Sequence, residues 1–164
     1  MARPTKNATP ICIGLSILAL IGIVVGLATS TPLVMVFVLV PVVAYEIYRV
    51  EGDSTKWASW GMGAVLLALI VFTLFDISWN LAEWLGQDSA DVGGYLVPLG
   101  DIKSVGAATL GALAIVLFFR TRGIYTRWLS VIIFVTVAAL VYVLSPDVFR
   151  DLLHQGAQNA VNQL

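Results

Sequence analysis

The chain has 164 residues, 59% of them apolar and 12% charged, with a formal net charge of −1 and a mean hydropathy of +0.93. A soluble core of this size cannot bury that much apolar surface, so composition excludes a soluble globular domain and points to an integral membrane protein. The near-neutral charge excludes a general attraction to nucleic acid.

Five apolar stretches follow one another: Thr9–Thr29, Pro32–Tyr48, Trp57–Ser78, Ser104–Phe119 and Trp128–Leu144. Each approaches the ~20 residues that an α-helix needs to cross a hydrocarbon core ~30 Å thick. They predict an all-α, polytopic membrane domain of five transmembrane helices over residues 1–145. A C-terminal amphipathic helix is expected over residues 146–164.

Ahead of the first stretch, Arg3 and Lys6 form a basic arm, and Leu27-Ala28-Thr29-Ser30 has the small residues of a signal-peptide cleavage site. The apolar run Ile11–Ala28 is longer than the ~7–15 residues of a signal peptide, and a second run follows at once. The segment therefore reads as a retained signal-anchor helix. The sequon Asn7-Ala8-Thr9 lies close to the membrane on the side assigned below to the cytoplasm, and reads as chance. Cys12 is the one cysteine, a small apolar residue within the first helix with no intrachain disulfide partner. Gly22 and Gly26 form a GxxxG, with Gly14 two turns earlier. Such small residues let helix backbones approach closely, where dispersion contacts hold them.

Thr29-Ser30-Thr31-Pro32 makes a tight connection to the second helix, and Pro32 suits its first turn. Pro41 lies within that helix and removes a backbone donor, so a kink is expected there. Glu46 is the sharpest position: fourteen residues after Pro32, it lies roughly 21 Å into the helix. An intramembrane carboxylate is a functional candidate. The structural alternative is an interfacial Glu46 that snorkels, or that pairs with Arg49 on the same face or with Arg120.

The third helix carries Trp57 and Trp60 at its start and Trp79 at its close. Trp60 and Trp79 are 19 residues apart, or roughly 28 Å, which places indoles at both interfaces. Asp76 falls just inside the second of these, as a helix-end residue or a cation entry point. The long connection to Lys103 reads as a helical continuation through Trp79–Leu85, an acidic stretch, and an apolar run Tyr95–Leu99 lying back on the membrane surface.

In the fourth helix, Gly106, Ala107, Ala108, Gly111 and Ala112 make a thin, small-residue side. The turn Arg120–Arg127 is strongly basic and belongs at anionic headgroups. After the fifth helix, Ser145, Pro146 and Asp147 form an N-terminal helix signature. Apolar residues from Val148 to Leu164 then recur at three- and four-residue spacing, with the single histidine, His154, on a solvated face.

One His and one Cys cannot build a multi-His or multi-Cys metal site, and no Walker A loop, G-x-S-x-G or G-x-G-x-x-G is present. No catalytic residue, metal or cofactor is predicted, although a pigment, quinone or lipid held by apolar contacts alone is compatible. The expected function is association: an accessory or scaffold subunit of a membrane complex, partnered by other membrane subunits or by itself. The alternative is a small oligomeric ion or proton transporter or channel using Glu46 and Asp76. A membrane enzyme acting on lipid or quinone through carboxylates alone ranks third.

Seven of nine basic residues fall on one side of the five spans: Arg3, Lys6, Arg49, Lys56, Arg120, Arg122 and Arg127. Lys and Arg in short loops resist translocation. The chain is therefore expected in the cytoplasmic (inner) membrane, N-terminus cytoplasmic and C-terminus outside. In a Cys12→Ala background, Ser89→Cys and Gln163→Cys should react with an impermeant thiol reagent on intact cells, whereas Ser54→Cys should not. Labelling at position 54 but not 163 would invert the orientation.

Overall fold

The computed structural model describes residues 7–50, 53–79, 89–92, 95–98, 101–146, 149 and 150. It contains five long helices: α1 (Ala8–Thr29), α2 (Pro32–Arg49), α3 (Asp53–Leu74), α4 (Ile102–Arg120) and α5 (Ile124–Leu144). All five are long and apolar enough to cross a membrane. Hydrocarbon offers no water to backbone N–H and C=O groups, so apolar segments of this length close their hydrogen bonds internally as helices.

The ends of the spans are set by local chemistry. Ser30 takes the left-handed conformation (φ 52°) after α1. The N–H of Thr31 then donates to the carbonyl of Gly26 at 3.1 Å. Asp76 does the same after α3 (φ 48°), with the Ile77 N–H donating to the Phe72 carbonyl at 3.0 Å. Both are Schellman closures, which satisfy carbonyls that the helix leaves over. Asp76 tolerates the left-handed region because its side chain is short and polar. This closure ends α3 at Leu74, a turn before the apolar stretch itself runs out at Ser78. At the other edge, α5 starts at Ile124, a turn ahead of Trp128, so Tyr125 and Arg127 are helical.

Helices α2, α3, α4 and α5 each pack against the next, and α5 returns to α2. The result is an antiparallel ring of four. Helix α1 lies outside it, against α2 and α5. The ring is filled by Leu39, Val43, Met62, Leu66, Leu69, Leu110, Leu117, Leu129 and Ile133, all buried. Pro41 sits on an exposed face within α2, which is helical on both sides of it.

The loop after α3 departs from expectation. Tyr95–Leu99 was expected to lie back on the membrane, but Tyr95–Pro98 forms strand β2, antiparallel to β1 (Ser89–Val92). Ser89 is opposite Pro98 and Val92 opposite Tyr95. The expected helical continuation cannot extend α3, because the chain turns at Phe75 and Asp76; residues 80–88 lie outside the described residues. Both ends of the loop are tied together by the Ile102 N–H, which donates to the Trp79 carbonyl at 3.0 Å. The expected amphipathic tail lies almost wholly outside the described residues, His154 included. Of its start, Phe149 packs edge-on against Tyr142, ring centroids 5.6 Å apart.

The small residues divide into two groups. A Cβ at Gly22 would lie 2.7 Å from Val38, and one at Gly26 would lie 2.6 Å from Met35. The GxxxG is therefore the seam between α1 and α2. Gly106 approaches Leu69 of α3 and Gly111 approaches Val137 of α5, with Ala107 buried and Ala108 half-buried beside them. Gly14 and Ala112 are exposed, and nothing lies within 4 Å of a Cβ at Gly14. These two do not pack within the chain, because their sides of α1 and α4 face away from the ring.

Val38 is β-branched and stiff, and a Cβ at Gly26 meets the Cγ as well as the tip of the fully buried Met35. Gly22→Ala and Gly26→Ala should therefore each destabilise by about 1–3 kcal/mol through overpacking. Gly14→Ala should be neutral or stabilising by up to ~1 kcal/mol, from helix propensity alone. Melting temperatures in detergent decide; equal losses at Gly14 and Gly22 would contradict the seam.

Candidate functional site

Hydroxyl side chains within the spans mostly bond to their own helix. Ser130 donates to the Thr126 carbonyl at 2.9 Å, Thr136 to Ile132 at 2.8 Å, and Thr73 to Leu69 at 2.7 Å. Such bonds hide a polar group in an apolar setting without a partner helix. Against that background Glu46 stands apart. It is fully buried, and both carboxyl oxygens lack a hydrogen-bond partner among the described residues.

Glu46 sits one turn from the end of α2, at the end of the bundle where α1 begins. Arg49 follows three residues later and is also buried. The expected Glu46–Arg49 ion pair is not formed. The guanidinium instead lies 4.9 Å from the centroid of the Tyr125 ring on α5 and 6.0 Å from that of Tyr45. An aromatic face attracts a partly desolvated cation strongly enough to compete for it. Arg49 still acts on Glu46 through space. Arg120, the other expected partner, is exposed at the end of α4 and makes no ion pair among the described residues.

Helix α1 closes the site from the third side. Cys12 is buried with a free thiol and lies within electrostatic reach of both Glu46 and Arg49. Two hydrogen-bonded links on the same helix fix α1 to α5. Thr9 and Tyr125 hydroxyls meet at 2.9 Å, and the Trp128 indole donates to Ser16 at 3.1 Å. Ser16 in turn donates to the Cys12 carbonyl at 2.8 Å. The sequence reading missed Cys12 as a neighbour of Glu46, Tyr125 as the partner of Arg49, and Trp128 as a link to α1. Depth could have suggested the first: Cys12 is four residues from the start of α1 and Glu46 three from the end of α2, about 5–6 Å in each case.

Chemically, the site presents one carboxyl group able to hold a proton, a water or a small cation. Glu46 and Cys12 offer two donors, where a structural zinc needs four.

Asp76 belongs to a different place. It lies at the opposite end of the bundle, where Lys103 donates to it at 2.6 Å. The Lys103 side chain is 10% exposed and that of Asp76 93%. Asp101 caps α4 by accepting from the Lys103 backbone N–H at 3.3 Å, and Ser104 meets Ser145 of α5 at 2.7 Å. Between this cluster and Glu46 the interior is filled mainly by apolar side chains, and the buried hydroxyls of Ser59, Ser130 and Thr136 each bond to a carbonyl of their own helix. Of the four expected intramembrane polar residues, the fold brings Glu46 and Arg49 to one site. It sends Asp76 to the far end and Arg120 to the surface.

The chain matches no protein-family model, and no curated protein or solved structure matches it.

The Lys103 ammonium, through its hydrogen bond first and its charge second, holds the Asp76 carboxyl below the usual carboxylate range. A depressed folded value makes the pair stabilising above the unfolded pKa and weaker as pH falls through the folded one. The melting temperature should therefore drop below about pH 4, and Asp76→Asn should flatten that limb relative to the parent. Solvent screening keeps the difference small, and high salt should shrink it further. Identical acid limbs in the two proteins would show that the pair contributes nothing.

Proposed function

We propose that this protein works by association: a small five-helix accessory or scaffold subunit that binds other membrane subunits or further copies of itself. The observation that carries this conclusion is the filled interior. Leu66, Leu69, Leu110 and Ile133 occupy the ring between Glu46 and the Asp76–Lys103 pair, and hydroxyls in the spans turn back onto their own helices. A monomer built this way offers ions no continuous polar track. Gly14 and Ala112 add support, since their thin, unpacked sides admit the backbone of a neighbouring helix. The sorting of basic residues supports a cytoplasmic (inner) membrane location with the N-terminus inside.

One observation favours a second reading, an oligomeric proton or cation transporter. It is the buried, unpartnered carboxyl of Glu46, a costly group to keep in a membrane without a use. Asp76 does not share its path, being held by Lys103 at the other end.

Gentle extraction followed by mass measurement tests the first proposal, and proteoliposomes with a pH-sensitive dye test the second. A defined hetero-complex or homo-oligomer without proton flux is the expected result. A monomer alone would overturn association. Flux in the parent that collapses in a folded Glu46→Gln protein would make transport the function.

A further inference from the structure

On the outer side of the ring, α4 and α5 leave an open apolar groove of about 200 Å³. Ala114 and Ser130 form its floor; Ile115, Phe118, Val131 and Phe134 form its walls. The floor offers no free hydroxyl, since Ser130 donates to the Thr126 carbonyl at 2.9 Å. The groove begins beside the turn that joins the two helices. Phe134 is ten residues into α5 from Ile124, or about 15 Å down, which is half of a ~30 Å hydrocarbon core. Its depth is that of one leaflet.

Three cations stand at the mouth. Arg120 and Arg122 are exposed, and no carboxylate pairs with them among the described residues. Arg127 is held there by two contacts. Its Nε donates to the Thr121 carbonyl at 2.9 Å, and its guanidinium lies 5.9 Å from the centroid of Phe118, a groove wall. Among the described residues no carboxylate pairs with its terminal nitrogens. Thus a fixed cation stands against one wall of an apolar groove about one leaflet deep, at the turn that also carries exposed Arg120 and Arg122.

We infer that this groove and the Arg120–Arg127 turn form a binding site for an anionic phospholipid, one acyl chain between α4 and α5 and the phosphate on the arginines. Guanidinium groups suit phosphate because they present paired N–H donors in a plane. A zwitterionic headgroup brings a choline cation among the same arginines and gains less. The site is independent of Glu46 and of the association proposed above, and it holds for either orientation of the chain.

The test is lipid titration of the detergent-solubilised protein, read by native mass spectrometry. The probes are dioleoyl phosphatidylglycerol and dioleoyl phosphatidylcholine, identical in their chains. The parent should bind phosphatidylglycerol more tightly, and each of Arg120→Gln, Arg122→Gln and Arg127→Gln should weaken it about fivefold. Lys56→Gln, on exposed α3 surface at the same end, should leave it unchanged. Val131→Trp, which fills the groove from a lipid-facing wall, should weaken both lipids; Ile115→Phe serves if that variant fails to fold. Glycerol phosphate without chains should not compete at lipid concentrations. Equal affinity for the two lipids would overturn the proposal. So would an effect of Lys56→Gln equal to that of the arginines, or undiminished binding in the groove-filled variant.

Discussion

Backbone hydrogen bonding in a medium without water is the constraint on which everything else here rests. It makes each apolar stretch a helix, and it makes each helix end a problem to be solved locally. Ser30 and Asp76 solve it with left-handed residues, and Asp101 solves it with a side-chain cap. Because the spans have no hydrophobic force to draw them together, close fit must hold the bundle. Gly22 and Gly26 supply that fit for α1, and Leu69 nested against Gly106 supplies it between α3 and α4.

The same constraint explains where polarity is tolerated. Most hydroxyls within the spans bond to their own helices, so they line the interior without wetting it. Charges stand at the ends, where Lys103 meets Asp76 and Arg120 and Arg122 are exposed. Glu46 escapes both solutions. It is fully buried one turn from the helix end, with Cys12 of α1 near it, while its neighbour Arg49 is claimed by Tyr125. A carboxyl in that position is either tolerated for the packing around it or retained for what it can bind.

Much of the fold was legible in the sequence because its signals are one-dimensional. Span length, Trp spacing and basic sorting need no knowledge of which helix touches which. The five spans and the tight turn at Ser30 followed from them. What required three dimensions was missed or inverted. Glu46 and Arg49 have the spacing of an ion pair, yet a tyrosine 76 residues beyond Arg49 takes the cation. Gly14 lies two turns before the Gly22–Gly26 pair, yet is on the outer surface, because eight residues at 3.6 per turn rotate it roughly 80° away from Gly22. Gly63, against Ile47, drew no attention in the sequence although it packs as closely as the others. The β1–β2 hairpin did carry a local signal in the sequence, a Gly93-Gly94 pair between two short runs, a pattern that favours hairpins. The apolar character of Tyr95–Leu99 outweighed it because membrane surfaces attract such runs equally well.

The position of α1 outside the ring bears on how the protein is assembled during synthesis. Of the five helices α1 leaves the ribosome first, but its two partners are the second and the fifth. Until α5 is inserted, α1 is held by α2 alone, through the seam at Gly22 and Gly26 and the short turn at Ser30. The links from Thr9 to Tyr125 and from Ser16 to Trp128 close only once α5 has been made. For that interval Arg49 lacks the Tyr125 ring that takes its charge in the finished fold, and α1 lacks both of its hydrogen-bonded links to α5.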